Sequence, residues 1–315
     1  MNKPILSVVV CTYNRETLLP FCLQSLQEQT LDQSLYEVVI IDNNSDDGTH
    51  SIVKSYLKRK TNCRFFVEYN QGIGFARDRG WRESAGIFIA YLDDDARAGK
   101  EWCERILKIF SAVKPMPAAV GGKYLPIYET DPPVWFKDDF EIRTWGEKPG
   151  FLSLPARRYG FSGACMAIRR DILQSYGGFS TGLGMKGNKI RIGEETEFFY
   201  RLQEKDLLLW YDPDLIVHHW TPARNMGFKY RFNRSLISGK FLAGLHRRKR
   251  YWYDYIKQFA YKLFFPAVFL ISISIFVGIM LLLSAASINI AKDRCMAQVY
   301  KLAGKAGIYL GYFIG

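Results

Sequence analysis

Three carboxylates in a row, Asp93-Asp94-Asp95, close the apolar segment IFIAYLDDD. Three like charges at one point are costly unless water solvates them or a cation neutralises them. Their hard oxygens suit Mg2+ or Mn2+, and either ion would in turn hold a diphosphate. Taken alone, the cluster is also compatible with a plain solvated turn. A second acidic group, Glu194, Glu195 and Glu197, opens the segment GEETEFFYRLQEKD ahead of Phe198, Phe199 and Leu202. Acids in a first helical turn are favoured by the helix dipole, so ordinary capping is one reading of them. The segment LLLWYDPDLIVHHW ends in His218 and His219. Paired histidines after a strand usually pack, but a histidine beside an Asp cluster completes a divalent-metal site.

These residues need elements to bring them together. ILSVVVC at 5–11 is an unbroken β-branched run, the pattern of a strand buried on both faces. Leu18, Leu19, Cys22, Leu23 and Leu26 then recur at helical spacing. EVVIIDNNSDDGT reads as a second buried strand, SIVKSYLKRK as a helix, CRFFVEYN as a third strand, FARDRGWRESAG as a third helix and IFIAYLDDD as a fourth strand. Alternation of this kind predicts an α/β fold with a mainly parallel sheet. Ligands in such sheets bind beyond the carboxyl ends of the strands. Those ends hold Thr12 to Arg15, Asp42 to Asp47, Asn70 to Gly74 and Asp93 to Asp95. No glycine-rich phosphate loop follows the first strand, which argues against a P-loop NTPase or a dinucleotide oxidoreductase. GFSGACMAIRRDIL at 160–173 is a turn of small residues leading into an apolar strand, and the aromatics of 121–162 either line a pocket or pack a loop.

The 315 residues carry a formal charge of +12, unevenly placed. Residues 224–262 hold eleven Lys and Arg against one acid, Asp254, a net of +10. Residues 263–315 add +3, which leaves residues 1–223 at −1. A nucleic-acid enzyme would spread its bases over the main domain, so nucleic acid is not an expected partner. The basic belt instead precedes LFFPAVFLISISIFVGIMLLLSAASINIA, 263–291, which no charge interrupts. That run is long enough to cross a bilayer. A single span is the first expectation, with Pro266 and Gly278 leaving room for a re-entrant hairpin. The Lys/Arg bias predicts that the N-terminal part faces the cytoplasm, at the cytoplasmic (inner) membrane, with anionic lipid as a partner. Residues 292–315 form a short tail expected at the interface. Six cysteines without CxxC pairing or metal spacing suit a reducing compartment.

In order and spacing, VVVCTYNRETLLPFCLQSL, IIDNNSDDGT, NQGIGFARDRG, YLDDDA, GACMAIRR with its following GGF, and GEETEF resemble the inverting nucleotide-sugar glycosyltransferases of family 2, from about residue 5 to about 221. The resemblance implies the GT-A fold over 1–223, followed by the basic aromatic juxtamembrane region 224–262 and the transmembrane segment. It implies a divalent cofactor, Mn2+ or Mg2+, and a nucleotide-sugar donor, with UDP first and GDP or dTDP open. Thr12, Asn14 and Arg15 would border the nucleotide, Asp42 would contact the base and Arg77 would help position the nucleotide. Asp78 stands where the family usually has Asn. Asp93 and Asp95, with Asp94 between them, would be the family's D-x-D. Asp95 would hold the metal, Asp93 the ribose or a metal-bound water, and His219 would complete the site, ahead of His218. The family's general base is the acid of a Glu-Asp pair, and GEE replaces GED here. Glu194 and Glu195 therefore both stand as candidates, with Glu195 first.

The implied reaction is a metal-assisted single displacement onto a hydroxyl of a lipid-linked or cell-surface glycan precursor. A polyprenyl-phosphate sugar synthase is the nearest alternative; the Glu pair argues mildly for a hydroxyl acceptor instead. The stretch WTPARNMGFKYRF after His219 lacks the Q-x-x-R-W of processive synthases. A non-catalytic membrane-bound nucleotide-binding protein is the alternative from another class, and the retained carboxylates weigh against it.

Overall fold

The computed structural model describes residues 3–58, 61–152, 160–187, 189 and 191–247. Two compact units emerge: Met1–Ile127 with Glu141–Trp220, and Tyr128–Phe140 with the chain from Thr221 onward.

In the first unit the β-branched runs become β1 (Leu6–Thr12), β2 (Tyr36–Asp42), β3 (Cys63–Val67) and β4 (Phe88–Asp93), paired in parallel in the order β3-β2-β1-β4. Every residue of β1 and β2 is buried. Because side chains alternate across a strand, Leu6, Val8 and Val10 face one core and Val9 and Cys11 the other. Helices α1 (Leu19–Gln27) and α2 (Thr49–Leu57) cover the first face, joined by α4 (Trp102–Ala112). Helix α3 (Ile73–Glu83) covers the second.

The expectation of a mainly parallel sheet holds for the longest ladders, but the sheet is mixed. It continues β4-β8-β6-β9-β5, with β5 (Ala96–Ala98), β6 (Ala119–Tyr128), β8 (Met166–Arg169) and β9 (Leu209–Thr221); β7 (Gly150–Phe151) pairs with β9. The β4–β8, β6–β8, β5–β9 and β7–β9 pairs are antiparallel. Periodicity reports burial and says nothing of strand direction. Direction here depends on contacts far apart in sequence: β8 returns beside β4 after more than seventy residues, and helix α5 (Arg170–Tyr176) follows it at once. Helix α6 (Glu194–Gln203) lays Phe198, Phe199 and Leu202 on the second core face.

The second unit contains a 3-10 turn (Asp138–Phe140) and helices α7 (Ala223–Met226) and α8 (Phe228–Arg247). Trp135, Phe136, Phe140 and Met226 form its small core. Arg231, one of the bases of the +10 stretch, is 1 % exposed, with its guanidinium 4.9 Å from the Phe136 ring centre. That charge is an internal cation–π partner and not part of a solvated belt. No helix among the described residues is long and apolar enough to cross a membrane. The span expected at 263–291, the tail at 292–315 and the belt from residue 248 onward lie outside the described residues.

Candidate active site

The carboxyl ends of β1, β2 and β4 lie side by side, because Cys11 pairs with Asp93 and Thr12 with Asp42 in parallel register. Asp93 ends β4, and Asp94 and Asp95 form the turn into β5. Strand β9 runs antiparallel to β5 with His219 opposite Ala96. His219 thereby reaches Asp95, Nε2 to Oδ1 at 2.9 Å. One ligand atom from each of Asp93, Asp95 and His219 lies within 4.8 Å of the others. His218, one step along the strand, is exposed and opposes Arg97 instead. Tyr124 packs its ring against His219, centroids 4.7 Å apart, and so limits the imidazole's rotation.

The electrostatics of the triplet are divided. Burial, and then the charge of Asp95, push the Asp94 carboxyl up to about 7, although Arg15 opposes the shift. Burial likewise raises Asp93 against the pull of Arg77. Burial acts the same way on Asp95, but His219 outweighs it and lowers the carboxyl. Burial disfavours the His219 cation, yet Asp95 raises the imidazole to about 9. Two carboxylates and an imidazole converging in this way fit a divalent cation.

Arg15 enters from the β1–α1 loop. Its Nε donates to Asp94 Oδ1 at 3.2 Å and its Nη2 to Asp95 Oδ2 at 3.3 Å. The Tyr13 backbone N–H also donates to Asp94, at 3.3 Å. Asn14 (φ 51°) and Asp42 are occupied in shaping the neighbouring turn. Asn14 Nδ2 donates to Asp46, and Asp42 Oδ1 accepts from the Ser45 backbone N–H and hydroxyl. Thr12, at the end of β1, is 2 % exposed and lies beside Asp94.

Arg77 links the two acidic groups. It is 3 % exposed on α3, and its Nη2 donates to Asp93 Oδ1 at 3.2 Å. Its Nη1 lies 3.0 Å from Glu194 Oε1 and 3.1 Å from Glu195 Oε1. The resemblance implied that Arg77 helps position the nucleotide; in the structure its guanidinium pairs with three carboxylates. The Gly163 N–H also donates to Glu195 Oε1, at 3.1 Å. A Cβ at Gly163 would sit 1.9 Å from Arg77 Nη2 and 2.5 Å from Glu195 Oε1, so only glycine admits this approach. In the sequence Gly163 stood in a turn of small residues and at the head of the GACMAIRR segment, with no role of its own assigned. Burial opposes ionisation of Glu195, but Arg77 and the backbone donors hold its carboxyl below the usual range. Burial and the Glu195 charge push Glu194 up to about 8. Arg77 and the backbone donors thus favour the charged form at Glu195, and burial favours the neutral form at Glu194. Glu197 plays a different part, bonding Arg201 one turn along α6 at 3.0 Å. Asp78 likewise serves its own helix, accepting from Trp81 Nε1 at 2.8 Å and Arg82 Nε at 2.9 Å.

A sequence profile of the family described as Glycosyl transferase family 2 matches residues 7–177. The glucosyl-dolichyl phosphate glucuronosyltransferase of Haloferax volcanii is 28% identical over 203 residues, 63% of this chain and 63% of that protein. The succinoglycan biosynthesis protein ExoM of Rhizobium meliloti is 27% identical over 242 residues, 75% of this chain and 73% of that protein. Across the first curated relatives the match spans 31% to 63% of the relative's length. Among solved structures, the mannosyltransferase PcManGT of Pyrobaculum calidifontis, in complex with GDP-Man and Mn2+, superposes with a TM-score of 0.66 at 18% identity. The superposition covers 98% of this chain and 87% of that one, a likeness of fold.

Proposed function

Because the chain belongs to glycosyltransferase family 2, we propose that it moves a sugar from a nucleotide-sugar donor to a hydroxyl of a lipid-linked or cell-surface glycan precursor, with inversion at the anomeric carbon. The observation that carries this reading is the guanidinium of Arg77, which bonds Asp93 on one side and the ionised Glu195 on the other. A donor-side acid and a base are thereby held on one rigid fork.

Glu195 takes the proton from the acceptor hydroxyl as that oxygen attacks the anomeric carbon. The bond from that carbon to the nucleoside diphosphate breaks in the same displacement, and the electron pair leaves with the diphosphate. The Gly163 N–H and Arg77 keep Glu195 ionised and oriented for this transfer. Arg77 and the protonated Glu194 limit the repulsion between neighbouring acids. Asp93, Asp95 and His219 would hold Mn2+ or Mg2+, which when bound offsets charge on the departing diphosphate. Arg15, beside Asp94 and Asp95, adds a positive group at the same edge. UDP is the first candidate nucleotide by family resemblance, and GDP is the comparison to run beside it.

The relatives' names support the acceptor class, one naming glucosyl-dolichyl phosphate and the other succinoglycan biosynthesis. The +10 stretch at 224–262 and the uncharged run at 263–291 support a place at the cytoplasmic face of a membrane.

The test is Glu195→Gln assayed with UDP- and GDP-sugars and Mn2+. Transfer is expected to fall about 10^2- to 10^4-fold, the range of a lost general base, while the melting temperature and nucleotide binding stay near wild type. Near-normal turnover in this variant would remove Glu195 from the role of base. Asp95→Asn is expected to weaken Mn2+-dependent nucleotide binding itself.

A further inference from the structure

The guanidinium of Arg77 meets Asp93, Glu194 and Glu195 through the N–H groups along its edges. It also has an aromatic neighbour that the reaction described above does not use. Arg77 Cζ lies over the ring of Phe179, 5.6 Å from its centre. Phe179 is 4 % exposed and follows Gly177-Gly178 in the chain after α5. In the sequence it is the Phe of the GGF segment, with no role of its own assigned.

Phe179 is itself held from several sides. The Tyr91 ring meets it edge-on, centroids 5.2 Å apart at 82°. The Tyr91 hydroxyl donates to the Arg77 backbone carbonyl at 3.2 Å. Tyr91 therefore grips both the ring and the backbone that carries the guanidinium. Phe198 of α6 packs against Phe179 at 4.8 Å, and the Arg201 guanidinium lies over Phe198 at 5.3 Å. Arg201 also donates to the Tyr176 and Gly178 carbonyls, which pins the chain just before Phe179. A Cβ on Gly178 would lie 2.1 Å from Asp78 Oδ1 and 2.6 Å from Trp81 Nε1, so this stretch presses on α3 as well. Arg77, Phe179, Phe198 and Arg201 thus form one row of cation, ring, ring and cation, running from the carboxylates to the last turn of α6.

We infer that Phe179 is a positioning residue for sugar transfer, acting through Arg77: its π face holds the guanidinium where the N–H groups reach both Asp93 and Glu195. The inference rests on the glycosyltransferase reading, because Glu195 is the base of that reaction. The N–H groups of a guanidinium lie in one plane. Carboxylates at its edges therefore set its rotation within that plane more firmly than its height above a neighbouring surface. A ring face attracts the cation along the remaining direction. Arg77 is 3 % exposed, and a desolvated cation–π contact is at the strong end of its range. A guanidinium shared among three acids has several ways to pair, and the ring favours the one that serves both acidic groups at once.

The experiment uses the full chain with mono-, di- or trifluorophenylalanine in place of Phe179, together with Phe179→Leu. Fluorine draws charge from the ring face at nearly constant shape, so it weakens the hold on a cation and leaves the packing in place. The same replacements at Phe110 are the control, since Phe110 is buried and stacks on Phe88 in the other core. The readouts are the melting temperature, the Kd of UDP and GDP with Mn2+, and nucleoside diphosphate release from UDP-N-acetylglucosamine or GDP-mannose at saturating donor. Water stands in for the acceptor hydroxyl in that release. Release is expected to fall stepwise with each fluorine at Phe179, to about a tenth of wild type with the trifluoro ring and in Phe179→Leu. The Kd values, and release by the Phe110 series, are expected to stay near wild type. If Phe179→Leu melts below the assay temperature, the fluorinated series alone decides. A flat response at Phe179, or an equal fall at Phe110, overturns the inference, because the ring then acts by packing only. A loss confined to nucleotide–Mn2+ affinity overturns it also and assigns the ring to donor binding. Wild type that releases neither nucleotide refutes the transfer reading itself, and the inference falls with it; in every other outcome wild type turns over.

Discussion

Arg77 divides one guanidinium among Asp93, Glu194 and Glu195, and the two glutamates respond in opposite directions. Glu194 is the buried, protonated member, its carboxyl raised to about 8 by burial first and by the Glu195 charge second. In the unfolded chain it ionises near the ordinary glutamate value of 4.5. The native state therefore holds a proton that the unfolded state has released, and stability declines as pH rises from that value to about 8. Glu194→Gln, which is neutral throughout, is expected to lose this decline. Its melting temperature relative to wild type should climb between about pH 5 and pH 8, and it should keep transfer activity that Glu195→Gln loses. A melting curve that parallels wild type at every pH would mean that Glu194 is ionised in the fold. The adjacency of Glu194 and Glu195 was plain in the sequence. Which of the two carries the proton was not, because that depends on Arg77, 117 positions away, and on the Gly163 N–H.

Among elements, β1 to β4 and their helices followed from hydrophobic pattern alone, since a strand buried on both faces has little other composition available. The antiparallel half did not. Strand β6 passes so close to β9 that a Cβ on Gly122 would lie 1.8 Å from the Leu215 carbonyl oxygen. In the sequence Gly121-Gly122 open the region 121–162, whose aromatics could line a pocket or pack a loop. Gly122→Val is expected to cost about 1–3 kcal/mol by overpacking, seen as a lower melting temperature. Since β9 carries His219, Mn2+ affinity should fall in the same variant. An unchanged melting temperature would mean that β6 and β9 separate at little cost. Helix α6 shows the reverse case: three acids stand in its first turn, where the helix dipole favours them, but no side chain caps its N-terminus. Glu197 bonds Arg201 along the same helix, whereas the contacts of Glu194 and Glu195 lead to Arg77.

At the scale of the molecule, charge separates the chain into a near-neutral region up to residue 223 and a basic remainder. The aromatic core that encloses Arg231 shows that part of this charge serves packing in the second unit. For the full chain, binding to vesicles containing anionic lipid is expected to persist in 1 M NaCl, where the screening length falls to about 3 Å. An apolar run such as 263–291 is not screened by salt, whereas attachment through bases alone would be. Release from vesicles at that salt would leave the basic stretch as the sole membrane contact. By itself the sequence determined the parallel half of the sheet, the family and the segments that carry the chemistry, because burial periodicity and short motifs are local properties of a chain. Only the tertiary structure decided that Arg77 ties the Asp triplet to the Glu pair and that the Gly163 N–H meets Glu195. Proton positions and counter-charges are set by groups distant in sequence, which meet only when the sheet closes.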